Sequence, residues 1–82
     1  MTEDEIRTAY LGCLTDVAPD IDAADVGGDD HIQDDLELDS MDVLNLVAAL
    51  HKALGVDIPE PDYPQIATVN LAVPYLKGRL GA

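Results

Sequence analysis

Apolar residues in this chain recur at three- and four-residue steps in separate segments, and no alternation with polar ones is sustained over the length of a strand. A strand buried on one face needs a two-residue period, so the pattern excludes a sheet and leaves packed helices. In the first segment Ile6, Ala9, Tyr10, Cys13, Leu14 and Val17 form one stripe, which predicts an amphipathic helix of about four turns. Thr2 followed by Glu5 has the spacing of a capping box, and the acidic first turn suits the positive end of a helix. Pro19 stops the segment at Ala18, because the residue before a proline is pushed out of helical geometry.

The second helix is predicted over Ser40 to Leu54, capped by Asp39 and ended by Gly55. Beyond it the stretch from Pro59 to Pro64 is proline-rich and irregular, with Asp62 placed to cap one short turn through Tyr63 to Ile66. Thr68 then caps a last helix whose buried stripe is Val69, Ala72, Val73 and Leu76. Pro74 falls well inside that helix, where it removes a backbone hydrogen bond and crowds the carbonyl of Asn70, so a kink or break is expected there. No internal repeat is visible. The expected fold is all-α: one domain over residues 1–82, a small bundle of three longer helices and one short one.

The core of such a bundle must be aliphatic. The chain has 82 residues and neither Trp nor Phe, and its only aromatics are Tyr10, Tyr63 and Tyr75. A domain this small buries only about 60% of the surface its unfolded chain exposes, so modest stability is expected. Cys13 is the single cysteine, which excludes an intramolecular disulfide or a Cys-based zinc site. Its place on the apolar stripe reads as a buried structural thiol.

Residues 19 to 38 form a long Asp-rich loop broken by Gly27-Gly28, in which Ile21, Val26, Ile32, Leu36 and Leu38 are expected to anchor it to the bundle. Loops of this length are usually functional or disordered. Asp20 and Asp22 fit the first two positions of a calcium-binding loop. Ala24 and Asp25 fail the next ligand and the turn glycine, and no Glu closes the pattern. The expectation is a solvated acidic loop that binds divalent ions weakly, with no specific metal site. His31 and His51 lack Cys or His partners at ligand spacing and are read as a loop residue and an exposed helix residue.

Charge narrows the partners. Seventeen Asp and Glu against four Lys and Arg give a net charge of −13. Between Arg7 and Lys52 no basic residue occurs, while eleven carboxylates run from Asp16 to Asp42. A chain of this kind does not neutralise phosphates, so nucleic acid and anionic membrane surfaces are poor partners. It steers basic protein surfaces toward itself, although such charge also serves plain solubility. Residues 1–5 lack the basic and apolar regions of a signal peptide, and no apolar run reaches membrane-spanning length. A cytoplasmic protein without membrane insertion is expected.

On a helical wheel, Val43, Leu46, Val47, Leu50 and Leu54 cluster on one side of the second helix and form its core stripe. Met41, Leu44 and Ala48 lie opposite, with Asn45 and Lys52 among them, beside Asp39 and Asp42. An outward apolar strip beside carboxylates reads as a docking surface, and scattered apolar surface residues are also ordinary. Ser40 sits at the helix start, where an attached phosphate would meet unpaired N–H groups and a favourable dipole. Taken alone, Asp39-Ser40 is equally a helix cap.

The run Leu36-Glu37-Leu38-Asp39-Ser40-Met41-Asp42, preceded by a long loop and followed by an amphipathic helix, resembles the attachment motif of the acyl carrier protein family. The resemblance extends over nearly the whole chain, through the Gly55 to Pro59 segment and the final helix opened by Thr68-Val69. It implies an acyl-carrier-like four-helix bundle, a monomer, with 4'-phosphopantetheine attached covalently to Ser40 by a phosphopantetheinyl transferase using Mg²⁺. It implies a non-catalytic carrier that holds acyl groups as thioesters and presents them to acyl ligases, transferases or synthases with basic docking surfaces, in a fatty acid, lipid or polyketide-type pathway. Asp39, Met41, Asp42, Leu44, Asn45 and Ala48 would be read by partners. Val43, Leu46, Val47, Leu50, Leu54, Ile58, Ile66 and Ala72 would form the core and an acyl pocket.

Departures from the family pattern qualify that reading. Met41 stands where leucine is usual after the modified serine. Asn45, His51 and Lys52 stand at outer positions that are commonly glutamate in the housekeeping fatty-acid carrier, which points to a specialised carrier. Asp39, where glycine is more usual in nonribosomal peptide carriers, speaks against that class. Two rivals remain: an unmodified acidic helical module that binds a basic partner, and a stand-alone enzyme or metal protein, for which no catalytic constellation is present.

Overall fold

The computed structural model describes residues 1–80. Helix α1 spans Glu3–Val17, and Thr2 caps it through the full reciprocal box. The Thr2 side chain accepts from the Glu5 N–H at 3.2 Å, and the Thr2 N–H donates to Glu5 Oε1 at 2.9 Å. Those bonds hold the Glu5 carboxyl below its ordinary range, because they favour its charged form. Helix α2 spans Ser40–Leu54 and helix α3 spans Val69–Arg79, capped by the Thr68 hydroxyl.

Two 3₁₀ segments join them. Residues Ala23–Asp25 form one turn inside the loop expected after α1, with Asp22 accepting from the Ala24 N–H. The second, Glu60–Ile66, starts earlier than the turn expected from Asp62. Proline explains its form: Pro61 and Pro64 bring no N–H, which an α ladder needs at consecutive positions. The tighter i→i+3 bonds of a 3₁₀ helix form from residues that keep their N–H, with Asp62 N–H donating to Pro59 O at 2.8 Å and Ala67 N–H to Pro64 O at 3.3 Å. Asp62 does not cap this helix; it accepts from the Tyr75 hydroxyl of α3 at 2.7 Å. No break occurs at Pro74, and α3 runs through it. Both Pro74 and Asn70 are exposed, so the carbonyl left without a donor faces solvent.

Helix α1 lies at the centre, packed on α2 along one side and α3 along the other, while the Glu60–Ile66 helix packs on α3. Ile6, Tyr10 and Leu14 of α1 meet Leu46 and Leu50 of α2 and Ile66, Val69, Ala72 and Leu76 of the C-terminal half, all fully buried or nearly so. Each such Leu or Ile contributes about 1.5–3 kcal/mol relative to an exposed side chain. The Tyr10 hydroxyl donates to the Ile66 carbonyl at 2.6 Å in this core, and burial pushes that phenol well above its ordinary pKa, so it stays a neutral donor. Cys13 is buried, its thiol raised by desolvation and then by Asp16.

The long loop is held in three places. Val26, Ile32 and Leu38 are buried, while Ile21 and Leu36 pack against the core half-exposed. The Ile32 N–H donates to Ala67 O at 2.9 Å, and the Asn70 N–H donates to Gly28 O at 3.0 Å. A Cβ at Gly28 would stand 2.5 Å from Asn70 Oδ1, so a side chain there would push the exposed Asn70 amide aside. The same Asn70 side chain donates to Asp29 Oδ1 at 2.8 Å. Gly55 ends α2 at φ +69°, the left-handed cap that glycine adopts without strain. No described helix is long and apolar enough to cross a membrane.

Candidate functional site

Ser40 is the first helical residue of α2, and the cap beneath it is built of carboxylates. Asp39 Oδ1 accepts from the Asp42 N–H at 2.8 Å, and Asp42 Oδ2 accepts from the Asp39 N–H at 3.4 Å. This reciprocal box spends Asp39 and Asp42 on the backbone and holds two negative charges at the positive end of the helix. Ser40 is exposed, and its hydroxyl makes no hydrogen bond with any described residue. The chain approaches this point through Glu37, whose φ of +62° places a non-glycine residue in the left-handed region. That conformation costs roughly 1–2 kcal/mol, and it lies between the half-buried Leu36 and the buried Leu38, just before exposed Asp39.

Helix α2 shows two faces. Val43, Leu46 and Leu50 are buried, and Val47 and Leu54, expected in the core stripe, are only half-buried. On the other side Met41 is 64% exposed and Leu44 46% exposed, and Asn45 and Ala48 are exposed beside them. His51 is exposed as well. Its Nδ1 lies 3.1 Å from Val56 O and 3.0 Å from Asp57 Oδ1, bracing the turn after Gly55. Arg79 Nη2 donates to Asp57 O at 2.6 Å and ties the end of α3 to the same turn.

Between α2 and the Glu60–Ile66 helix lies a groove of about 400 Å³ that Ser40 helps to line. One wall is Ser40, Val43 and Leu44 of α2; the opposite wall is Glu60, Tyr63, Pro64 and Ala67. Residues His31, Ile32 and Gln33 of the long loop close its end. A shallower groove runs along the other side of Leu44, bounded by Val47, Ala48, His51 and the 56–59 segment. Leu44 is therefore the ridge between the two.

Of the residues expected for core and acyl pocket, Val43 lines the groove beside Ser40, and Val47 and Ile58 line the second one. Leu46, Leu50, Ile66 and Ala72 belong to the closed core and line neither. His31, Gln33, Glu60, Tyr63 and Ala67 line the first groove without having been singled out from the sequence for that role. They sit in loop and 3₁₀ segments, where no period marks which side chains face inward. Among the described residues no group of three His, Cys, Asp or Glu side chains converges on a metal position.

The arrangement offers an exposed primary hydroxyl at a helix N-terminus, beside a partly apolar groove and an apolar ridge, and among the described residues no base or nucleophile is hydrogen-bonded to it. Ser40 can accept a phosphodiester-linked group there without displacing any bond of the fold. Residues 12–76 match the family model described as "Phosphopantetheine attachment site". The chain is 31% identical to an acyl carrier protein of Prochlorococcus marinus (strain MIT 9515), over 99% of this chain and all of that protein. It is also similar to a solved structure of the acyl carrier protein from Enterococcus faecalis, with a TM-score of 0.74 and 31% identity, covering 96% of this chain and 99% of that one.

Proposed function

The chain belongs to the acyl carrier protein family, whose members hold a covalent 4'-phosphopantetheine, and from that premise we propose that Ser40 is where this chain carries it. The observation that supports the position is the geometry of the α2 start. Ser40 is exposed, free of hydrogen bonds within the described residues, and helps to line the groove between α2 and the Glu60–Ile66 helix. When bound, the arm supplies a terminal thiol that holds an acyl group as a thioester.

The protein's own residues present rather than catalyse. Asp39 and Asp42 fix the first turn and keep Ser40 pointing away from the core, and they give the site the negative field that a basic enzyme surface meets. No described side chain is hydrogen-bonded to the serine hydroxyl, so its proton must be removed by the transferase. Met41, Leu44 and Ala48 form the apolar docking ridge, with Asn45 on its flank. Val43 and the groove walls shelter the arm or the start of its cargo. Membership in the family implies encounters with a phosphopantetheinyl transferase and with acyl-handling enzymes.

The finer reading is a single-domain, monomeric, cytoplasmic carrier for a fatty acid, lipid or polyketide-type pathway. Asn45, His51 and Lys52 thin the negative charge along the outer face of α2, which favours dedicated partner enzymes over a general cycle. The test is intact mass after incubation with a broad-specificity phosphopantetheinyl transferase, coenzyme A and Mg²⁺. The wild type should gain one phosphopantetheine and Ser40→Ala none. No gain, or a gain that persists in Ser40→Ala, would falsify the assignment.

A further inference from the structure

We propose that His31 is a positioning residue for the arm: its Nε2–H donates a hydrogen bond to a phosphodiester oxygen of the group esterified to Ser40. The proposal rests on Ser40 being the attachment point. Its basis is the locked environment of the imidazole. His31 Nδ1 accepts from the Gln33 N–H at 3.1 Å and from the Asp34 N–H at 3.2 Å. The His31 N–H donates to Asp35 Oδ2 at 2.7 Å, and its carbonyl accepts from the N–H groups of Asp35 and Leu36 at 2.8 and 3.1 Å.

A ring nitrogen that accepts two N–H bonds carries no proton, so these contacts assign the neutral tautomer with hydrogen on Nε2. Asp34 Oδ2 lies 3.9 Å from the same Nδ1, beyond hydrogen-bond distance, and makes no ion pair with a nitrogen held in the acceptor role. The Nε2–H itself has no acceptor among the described residues. His31 is half-buried and is one of the residues that line the same groove as Ser40.

Charge makes the match specific. A phosphodiester on Ser40 is an anion placed beside Asp39, Asp42 and Glu60, and no Lys or Arg lines the groove. Hydrogen bonds to an anion are shorter and stronger than neutral ones, so a donor already fixed in place has the advantage. Gln33 and Tyr63 are the other side-chain donors of the groove, and neither has a hydrogen bond that fixes it. The turn that tethers the long loop would then also orient the root of the arm.

The tautomer and the contact can be read separately. His31→Asn keeps an acceptor for the following backbone N–H groups, as Asn does in turns of this kind, and removes the ring donor. In the wild type, imidazole ¹⁵N spectra should show Nε2 protonated in the apo protein, and the Nε2–H resonance should shift on attachment of the arm. The ³¹P resonance of the loaded His31→Asn protein should move toward that of a free phosphoserine–pantetheine diester, while its melting temperature stays near the wild-type value. A mass gain on Ser40 without a shift of the His31 ring sinks the proposal and leaves the attachment assignment standing. No mass gain removes both. If His31→Asn does not fold, the apo and loaded wild-type ring spectra decide alone, and an unchanged Nε2–H overturns the contact.

Discussion

Helices α1 and α2 are each 15 residues long, each opened by a reciprocal capping box, and they differ in what their second face does. Helix α1 fills the centre of the bundle and buries Ile6, Tyr10, Cys13 and Leu14 against both neighbours. Its outward positions are mostly polar or small, as a scaffold helix requires. Helix α2 packs on α1 alone among the helices, yet carries Met41, Leu44 and Ala48 on the side turned from the core. Apolar area beyond what the core uses is costly to leave in water, and under the proposed function its place beside Ser40 makes it the face offered to other molecules. Packing accounts for α1, and docking is the role proposed for the outer half of α2.

The largest effect that separates the two faces is expected at Leu50. Leu50→Asp removes about 2–5 kcal/mol of packing and places an unpaired carboxylate among α1 side chains, a further large penalty. A domain of this size holds roughly 4–12 kcal/mol in all, so the variant should lose its helical circular dichroism and its cooperative urea transition. A folded Leu50→Asp protein would break the assignment of the inner face.

A smaller effect tests whether the centre of the bundle holds the helix that walls the groove. Tyr10→Phe leaves the Ile66 carbonyl without its buried donor, at a cost of about 1–3 kcal/mol. Urea denaturation should show that loss as a lower midpoint with an unchanged slope. A midpoint equal to the wild type would mean that the hydroxyl is replaced at no cost and that α1 does not secure the Glu60–Ile66 helix.

These elements were not equally legible in the sequence. The three α-helices could be read because caps and apolar period agree: Thr2 with Glu5, Asp39 with Gly55, and Thr68 all stand at the observed ends. The short helix ends at Ile66 as expected, but its start was read late because proline suppresses the α period, and the observed start at Glu60 depends on 3₁₀ bonding that no side-chain pattern announces. Of the kink or break expected at Pro74, the break is absent: α3 continues through it, and Asn70, whose carbonyl loses its donor, is exposed. The groove was hidden for another reason. His31, Glu60 and Tyr63 meet only through tertiary folding, and the left-handed turn at Glu37 carries no glycine to signal it.

A milder effect concerns charge. Eleven carboxylates without a base between Arg7 and Lys52 repel one another in the compact state, and salt screens such repulsion over about 10 Å at 0.1 M. Added NaCl, and Mg²⁺ or Ca²⁺ at lower concentration, should raise the melting temperature by a few degrees. A melting curve insensitive to both would show that repulsion in the long loop and the start of α2 does not limit stability.

The smallest expected change in stability is at Leu44, and there the account of α2 is most directly tested. Leu44→Asp alters an exposed ridge and should shift stability by no more than about 0.5 kcal/mol. Transfer of phosphopantetheine to this variant should then be measured against protein concentration, with circular dichroism recorded on the same sample. The account predicts native helicity, a raised KM and a nearly unchanged kcat, because docking is weakened while Ser40 and its cap are intact. Unfolding of Leu44→Asp, or native folding with wild-type KM for the transferase, would contradict it.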